Sequence, residues 1–119
     1  MNPGSVESEL IRLSDDLETA TDELAVLAEE AANAEADAKM AWAKAYLMVE
    51  GKNADEREAR CLTTDVALYE STASQPVHLW QRQRYVAEAV RNSKQEQLRS
   101  IRAQLDSLRS LNANVRAIV

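Results

Sequence analysis

The sequence predicts an all-α fold, a long antiparallel helical hairpin of the coiled-coil type. Two series of apolar residues repeat every seven positions between Leu10 and Met48, which is the a and d spacing that buries one stripe of a helix against another helix. The chain of 119 residues contains only two glycines and two prolines and no phenylalanine, so few positions favour a turn. One of these glycines, Gly51, follows directly after the apolar pattern. The chain is therefore expected to reverse its direction there.

Helix one is predicted over 5–50, with Ser5 able to cap its first turn. The first apolar series contains Leu10, Leu17, Leu24, Ala31, Ala38 and Ala45, and the second contains Leu13, Ala20, Leu27, Ala34, Ala41 and Met48. The stripe therefore changes from leucine to alanine along the helix. Small residues in the second half let the backbone of a partner helix approach closely.

A tight turn is predicted over 51–53. Gly51 suits the left-handed conformation that often follows a helix. Asn53 is a good N-cap, and Glu56 stands at the third helical position after it, as in a capping box. Such a short turn directs the second helix back along the first.

Helix two is predicted over 54–117 and completes a single domain of residues 1–119. It keeps the seven-residue frame in two series, one with Ala59, Val66, Ala73, Trp80, Ala87, Lys94, Ile101, Leu108 and Val115, the other with Leu62, Tyr69, Pro76, Gln83, Val90, Gln97, Gln104, Leu111 and Ile118. Leu98 and Leu105 widen the stripe. Because Pro76 removes a helical hydrogen bond, a kink or break is expected at 73–76.

Two paired helices bury only a narrow stripe of apolar surface, so a homo-oligomer is expected. Its predicted interface uses leucines from both helices, namely Leu10, Leu13, Leu17, Leu24, Leu27, Leu105 and Leu108.

The net charge of −6 hides an asymmetry between the two ends of the chain. Residues 1–38 carry eleven acidic residues and one basic residue, and residues 71–119 carry eight basic and three acidic residues. The basic end contains a stripe of arginines on one helical face, Arg99, Arg102, Arg109 and Arg116. Two interpretations remain open: these arginines pair with the acidic helix of the same or a neighbouring subunit, or they bind an anionic ligand such as phosphate.

The sequence contains no pattern typical of an enzyme, a metal site or a cofactor site. His78 is the only histidine and Cys61 the only cysteine, so neither a catalytic set nor an intrachain disulfide is indicated. The N-terminus lacks a basic and an apolar signal region, and no apolar run approaches the roughly 20 residues of a membrane span. A non-enzymatic cytoplasmic protein is expected, with no membrane contact.

A second group of candidate binding residues precedes the turn. Lys39, Lys44 and Lys52 surround Trp42 and Tyr46. Cations beside aromatic rings are typical of surfaces that bind single-stranded nucleic acid. The alternative is that both rings serve packing.

The segment from Lys39 to Lys52, with the following helix that contains Thr63, Thr64 and Asp65, resembles small helical proteins encoded among the recombination genes of tailed bacteriophages. The order of elements is similar to that of phage recombination mediators, which help to load a recombinase on single-stranded DNA. The resemblance covers roughly residues 35–115 and implies binding of single-stranded DNA, self-association, and contact with a recombinase or a single-strand-binding protein. By position, the basic corner of that family falls on Lys39, Lys44 and Lys52.

The resemblance therefore implies the function of a phage recombination mediator or accessory protein in the cytoplasm of the bacterial host cell. It would use the three lysines with Trp42 and Tyr46, and the arginine stripe, to contact DNA. The alternative is a structural or interaction coiled coil without nucleic-acid contact, such as a scaffold or a phage protein that binds a host regulatory protein.

Overall fold

A computed structural model describes residues 3–118. Within them the chain forms three helices and two short strands, α1 (Pro3–Met48), α2 (Ala54–Thr63), β1 (Asp65–Val66), β2 (Gln75–Pro76) and α3 (Val77–Ile118). The predicted all-α class is confirmed. The chain divides into two compact units: unit 1 combines the residues up to Val26 with those from Arg91 onward, and unit 2 contains Leu27–Val90.

Unit 1 is held together by leucines of α1 and α3. Its buried core consists of Leu13, Ala20, Leu98, Ile101 and Leu105, and Leu10, Leu17, Leu24 and Leu108 pack against that core. Two ion pairs cross between the helices, Arg116 with Glu7 and Lys94 with Glu23. Because the later residue of α3 pairs with the earlier residue of α1, the two helices run antiparallel in this unit.

Unit 2 is built on the alanine half of α1. Its buried cluster contains Ala41, Ala45, Cys61, Val66, Val77 and Trp80. The indole Nε1 of Trp80 donates a hydrogen bond to the carbonyl oxygen of Val66 over 3.0 Å. Alanine has no bulk beyond Cβ, so α1 leaves room for the Trp80 ring and for the side chains of α2 and β1.

The turn after α1 differs in part from the prediction. Asn53 caps α2 as expected, because its side chain accepts a hydrogen bond from the Glu56 N–H over 2.8 Å. Gly51 is not left-handed, since no described glycine has a positive φ. A Cβ at Gly51 would instead lie 2.8 Å from the backbone nitrogen of Arg57. Glycine is therefore needed here for the close approach of the turn to the first turn of α2.

The break predicted within helix two is present, but it is longer than predicted. α2 ends at Thr63, and the break extends over 64–76 instead of 73–76. The two strands of the break pair in antiparallel fashion, Asp65 with Pro76 and Val66 with Gln75. The short run Thr63 to Val66 contains β-branched residues and aspartate, which are poor helix formers. Their local preference outweighs the seven-residue apolar frame in this segment.

The buried stripe of α3 also differs from the prediction. Trp80 and Ile101 of the first predicted series are buried. The second buried stripe contains Leu98 and Leu105, each one residue after the glutamine that the second predicted series places there. Their neighbours Gln97 and Gln104 are not buried. On α1 the predicted stripe holds through Ala45, whereas Met48 is 65% exposed.

None of the described helices contains a stretch that is both long and apolar enough to cross a lipid bilayer.

Candidate nucleic-acid interface

The two predicted stacking aromatics lie on one face of α1 but are already used in packing. Trp42 and Tyr46 are one helical turn apart, with their ring centroids 6.4 Å apart and an interplanar angle of 28°. Both rings are partly buried against the core of unit 2. The guanidinium carbon of Arg57 lies 3.9 Å from the Tyr46 ring centroid. One face of Tyr46 is therefore covered by a cation from the chain itself.

Arg57 was missed in the sequence, although it holds the corner of the fold together. Its Nη2 donates a hydrogen bond to the carbonyl oxygen of Tyr46 over 2.8 Å, near the C-terminus of α1. A cation at this end of a helix also interacts favourably with the helix dipole. Its Nε is buried and has no hydrogen-bond partner among the described residues. The only signal in the sequence was its position one turn into α2.

Two lysines of the basic corner, Lys39 and Lys44, lie on different faces of α1. Lys39 pairs with Glu35 over 3.0 Å, and the Nζ of Lys44 lies 3.5 Å from the carbonyl oxygen of Ala67. These two lysines are five positions apart in the sequence, which places them about 140° apart around the helix. The Lys52 side chain is exposed and has no ion-pair partner within residues 3–118. An anion bound by Lys39 is therefore held on a different face of α1 from an anion bound by Lys44.

A groove beside Lys39 and Trp42 includes side chains of α3 that the sequence pattern did not indicate. The groove has a volume of about 340 Å³, and α3 contributes Gln81, Arg84 and Tyr85 to it. The Tyr85 ring is 62% exposed. It lies off the seven-residue frame, so its proximity to α1 depends on the register between the two helices, which periodicity alone does not give.

Arg84 is occupied by two carboxylates in that groove. Its Nε donates to Glu88 over 2.9 Å and its Nη2 lies 3.4 Å from Glu35. The hydrogen bond to Glu88 raises the pKa of the Arg84 guanidinium, and the charges of Glu88 and Glu35 act in the same direction. Arg84 is therefore a structural cation more than a free binding group.

The arginine stripe of unit 1 lies on the exposed surface of α3. Arg99 pairs with Glu96 one turn earlier, and Arg109 lies 3.8 Å from Asp106. Arg102 is exposed and has no partner among the described residues. Only Arg116 reaches the acidic helix, with its Nη2 3.4 Å from Glu7. The interpretation that the stripe pairs with the acidic helix of the same chain therefore holds for one of its four arginines. The other three are exposed and do not pair with α1.

The predicted oligomer interface falls into two groups. Leu13 and Leu105 are only 3% and 1% exposed and serve the core of the protomer itself. Half-buried leucines keep some exposed surface, and these are Leu10, Leu17, Leu24, Leu27 and Leu108. Their role between subunits stays a prediction.

The remaining reactive side chains do not converge. His78 is exposed, and Cys61 is buried, which raises the pKa of its thiol. The described residues contain no group of three or more His, Cys, Asp and Glu side chains that could hold a metal ion. The Tyr69 hydroxyl donates to Asp37 over 2.6 Å and so ties the loop after β1 to α1.

Comparison of the chain with protein-family models, with curated proteins and with solved structures gives no match.

Proposed function

We propose that this chain is a non-enzymatic accessory protein of DNA recombination, which self-associates and binds single-stranded DNA through the arginine stripe of α3. The observation that supports it most is the exposure of the arginine stripe. The side chains of Arg99 and Arg109 are 72% and 63% exposed, and their acidic partners lie on the same helix three residues away. Because the acidic residues of α1 do not pair with Arg99 or Arg109, these guanidinium groups remain accessible to phosphate.

The spacing of the stripe suits a flexible anionic polymer. Arg102 and Arg109 are seven residues apart, or about 10 Å along the helix axis. A single strand can place successive phosphates along such a row because its backbone is not held in a duplex. The corner with Lys39, Lys44 and Lys52 would add contacts at separate points. A recombinase or a single-strand-binding protein is the proposed protein partner.

The DNA contact is tested by fluorescence anisotropy with a labelled single-stranded oligonucleotide at several salt concentrations. Each phosphate contact with a single strand contributes about 0.7 to the slope of log K against log salt. Replacing both Arg102 and Arg109 with Gln should weaken binding and reduce that slope by about 1.4. Arg12→Gln is the matched control, because Arg12 is an exposed arginine held by Glu9 and Asp16. The absence of binding at tens of micromolar protein in low salt would remove the DNA contact.

The proposed partner role has its own readout. A mediator should speed the assembly of a recombinase on DNA already covered by single-strand-binding protein, measured as a shorter lag in the ATP hydrolysis of the recombinase. An unchanged lag, with DNA binding intact, would limit the function to DNA binding.

A second candidate function is an interaction coiled coil without DNA contact. An apolar groove in unit 2, lined by Leu27, Val86 and Val90 among others, favours it. Under this alternative the arginine substitutions leave all binding unchanged, whereas substitutions in the groove abolish partner contact.

A further inference from the structure

The surface of unit 2 contains an apolar groove that no part of the described chain fills. It has a volume of about 520 Å³ and lies between α1 and α3. Its apolar lining comes from both helices, namely Leu27, Leu79, Val86, Ala87 and Val90. Val86 and Val90 are 55% and 45% exposed, although valine is usually buried.

The grooves of unit 1 have a different character. One of them has a volume of about 500 Å³ and is lined largely by polar side chains, among them Thr19, Gln97 and Gln104. Water can satisfy these groups, so they need no partner. The groove of unit 2 exposes valine side chains instead, and covering them with apolar surface is favourable.

Two charged residues stand in the groove of unit 2, one on each helix. Glu30 belongs to α1 and Arg82 belongs to α3. Both are exposed, and neither has an ion-pair partner within residues 3–118. By contrast, the neighbouring cation Arg84 already pairs with Glu88 and Glu35. Glu30 and Arg82 are therefore available to a partner molecule.

The register of the helices places these two charges toward opposite ends of the groove. The ion pair of Arg84 with Glu35 shows which residues of α1 and α3 lie side by side. Glu30 lies five residues before Glu35 on α1, and Arg82 lies two residues before Arg84 on the antiparallel α3. At about 1.5 Å per residue, the acid and the base are roughly 10 Å apart along the helices. Measured along the helix axes, Val86 of α3 lies near the midpoint between Glu30 and Arg82.

We propose that this groove binds the same groove of a second copy of the chain across a two-fold axis that passes near Val86. A two-fold rotation exchanges the two ends, so Glu30 of each copy faces Arg82 of the other. The valines meet in the centre, and two identical ion pairs flank them. This arrangement rests on the proposed function, because it specifies the self-association that this function includes. Its test measures the mass of the protein without DNA, so a failure of DNA binding does not affect the result.

Charge reversal tests the proposed pairing. The measurement is sedimentation equilibrium over a range of protein concentrations. Arg82→Glu places two acids opposite each other at both ends of the interface, and Glu30→Arg places two bases there. Each single variant should raise the dissociation constant of the dimer roughly tenfold, as expected for two exposed pairs that change from attraction to repulsion. Arg109→Glu is the matched control on the same helix and should leave the constant unchanged.

The decisive sample is an equimolar mixture of the two single variants. In a mixed dimer, the glutamate introduced by Arg82→Glu in one copy faces the arginine introduced by Glu30→Arg in the other. The two native residues face each other at the second end. The mixture should therefore dimerise as tightly as the wild type, and so should the double variant. Val86→Asp removes the apolar centre and should leave a monomer with unchanged helical circular dichroism.

Three results would overturn the proposal. One is a wild-type protein that stays monomeric at several hundred micromolar. Another is a dimer whose dissociation constant is unchanged by Arg82→Glu and by Val86→Asp. The third is a mixture of the charge variants that is no tighter than either variant alone.

Discussion

The two units of this chain use the same two helices but pack them differently. In unit 1 the core is made largely by leucines of both helices, together with Ala20 and Ile101, and ion pairs tie α1 to α3. In unit 2 the α1 side of the core is alanine, and Trp80 of α3 and Cys61 of α2 fill the space. A small-residue stripe thus leaves room for a third element, whereas a leucine stripe fills the gap between two helices by itself. One seven-residue frame supports both solutions.

This contrast predicts that truncation damages both units, and that enlargement of the alanine stripe damages unit 2. The free energy of unfolding of each variant is measured by urea denaturation, monitored by circular dichroism.

The largest effect is expected at Trp80. Trp80→Ala leaves a cavity in unit 2 and removes the hydrogen bond to the Val66 carbonyl, so the free energy of unfolding should fall by about 3–5 kcal/mol. Tyr85→Ala, at a residue that is 62% exposed, is the control and should change it by less than about 0.5 kcal/mol. A loss below about 1 kcal/mol at Trp80 would show that the ring does not fill the core.

Leu105→Ala should rank second and act in unit 1. Leu105 is 1% exposed, and its truncation is expected to cost about 2–4 kcal/mol. Leu111, which is 40% exposed on the same helix, gives a control whose truncation costs less than about 1 kcal/mol. Equal losses at both positions would contradict the leucine core.

Ala41→Leu tests enlargement of the alanine stripe. Ala41 is fully buried in unit 2, so a leucine there overpacks the core at a cost of about 1–3 kcal/mol. Ala32→Leu, at an exposed position of the same helix, should be nearly neutral. If Ala41→Leu is also neutral, the stripe is loosely packed.

Asn112 should give a change of the opposite sign. Its Oδ1 is buried in unit 1 without a hydrogen-bond partner among the described residues. Asn112→Leu removes this desolvated polar atom and continues the leucine stripe, so the protein should gain about 1 kcal/mol. Asn114→Leu, at an exposed position nearby, should give no gain. A destabilised Asn112→Leu protein would mean that the amide is paired in solution.

The smallest effect concerns pH and the loop of unit 2. The hydrogen bond to Asp37 raises the pKa of Tyr69 above its ordinary value. Its contribution to stability is therefore complete below the pKa of an unfolded tyrosine, about 10, and is lost as the pH rises through the higher folded value.

NMR titration of labelled tyrosine rings measures this pKa directly. Asp37→Ala should lower the pKa of Tyr69 toward its ordinary value. A Tyr69 pKa that does not respond to Asp37→Ala would remove the link between the loop and α1.

Much of the fold could be predicted because it follows from local periodicity. The buried stripe of α1 was predicted correctly at Leu13, Ala20, Ala38 and Ala45, since an amphipathic helix shows its buried face in the sequence. The cap at Asn53 was also predicted, because capping depends on residues within one turn.

The errors share a physical cause, since each depends on contacts between distant residues. Strands β1 and β2 pair across the loop of 67–74, which no local pattern encodes. The second stripe of α3 uses Leu98 instead of Gln97, because either residue can follow the first series and the partner helix decides between them. The groove with Glu30 and Arg82 needs the register of α1 against α3, so it emerges only from the fold.

The most direct test of the account is a disulfide scan that compares the two units as sites of self-association. In a Cys61→Ala background, Val86→Cys places a thiol near the proposed two-fold axis, and Leu17→Cys places one on the leucine stripe of unit 1. Mild oxidation should cross-link the Val86→Cys protein into a covalent dimer, because a residue near the two-fold axis lies close to its own counterpart, and a disulfide requires a Cα separation of roughly 4.4–6.8 Å. The Leu17→Cys protein should remain monomeric on a non-reducing gel. Cross-linking at Leu17→Cys without cross-linking at Val86→Cys would contradict the account and place self-association in unit 1.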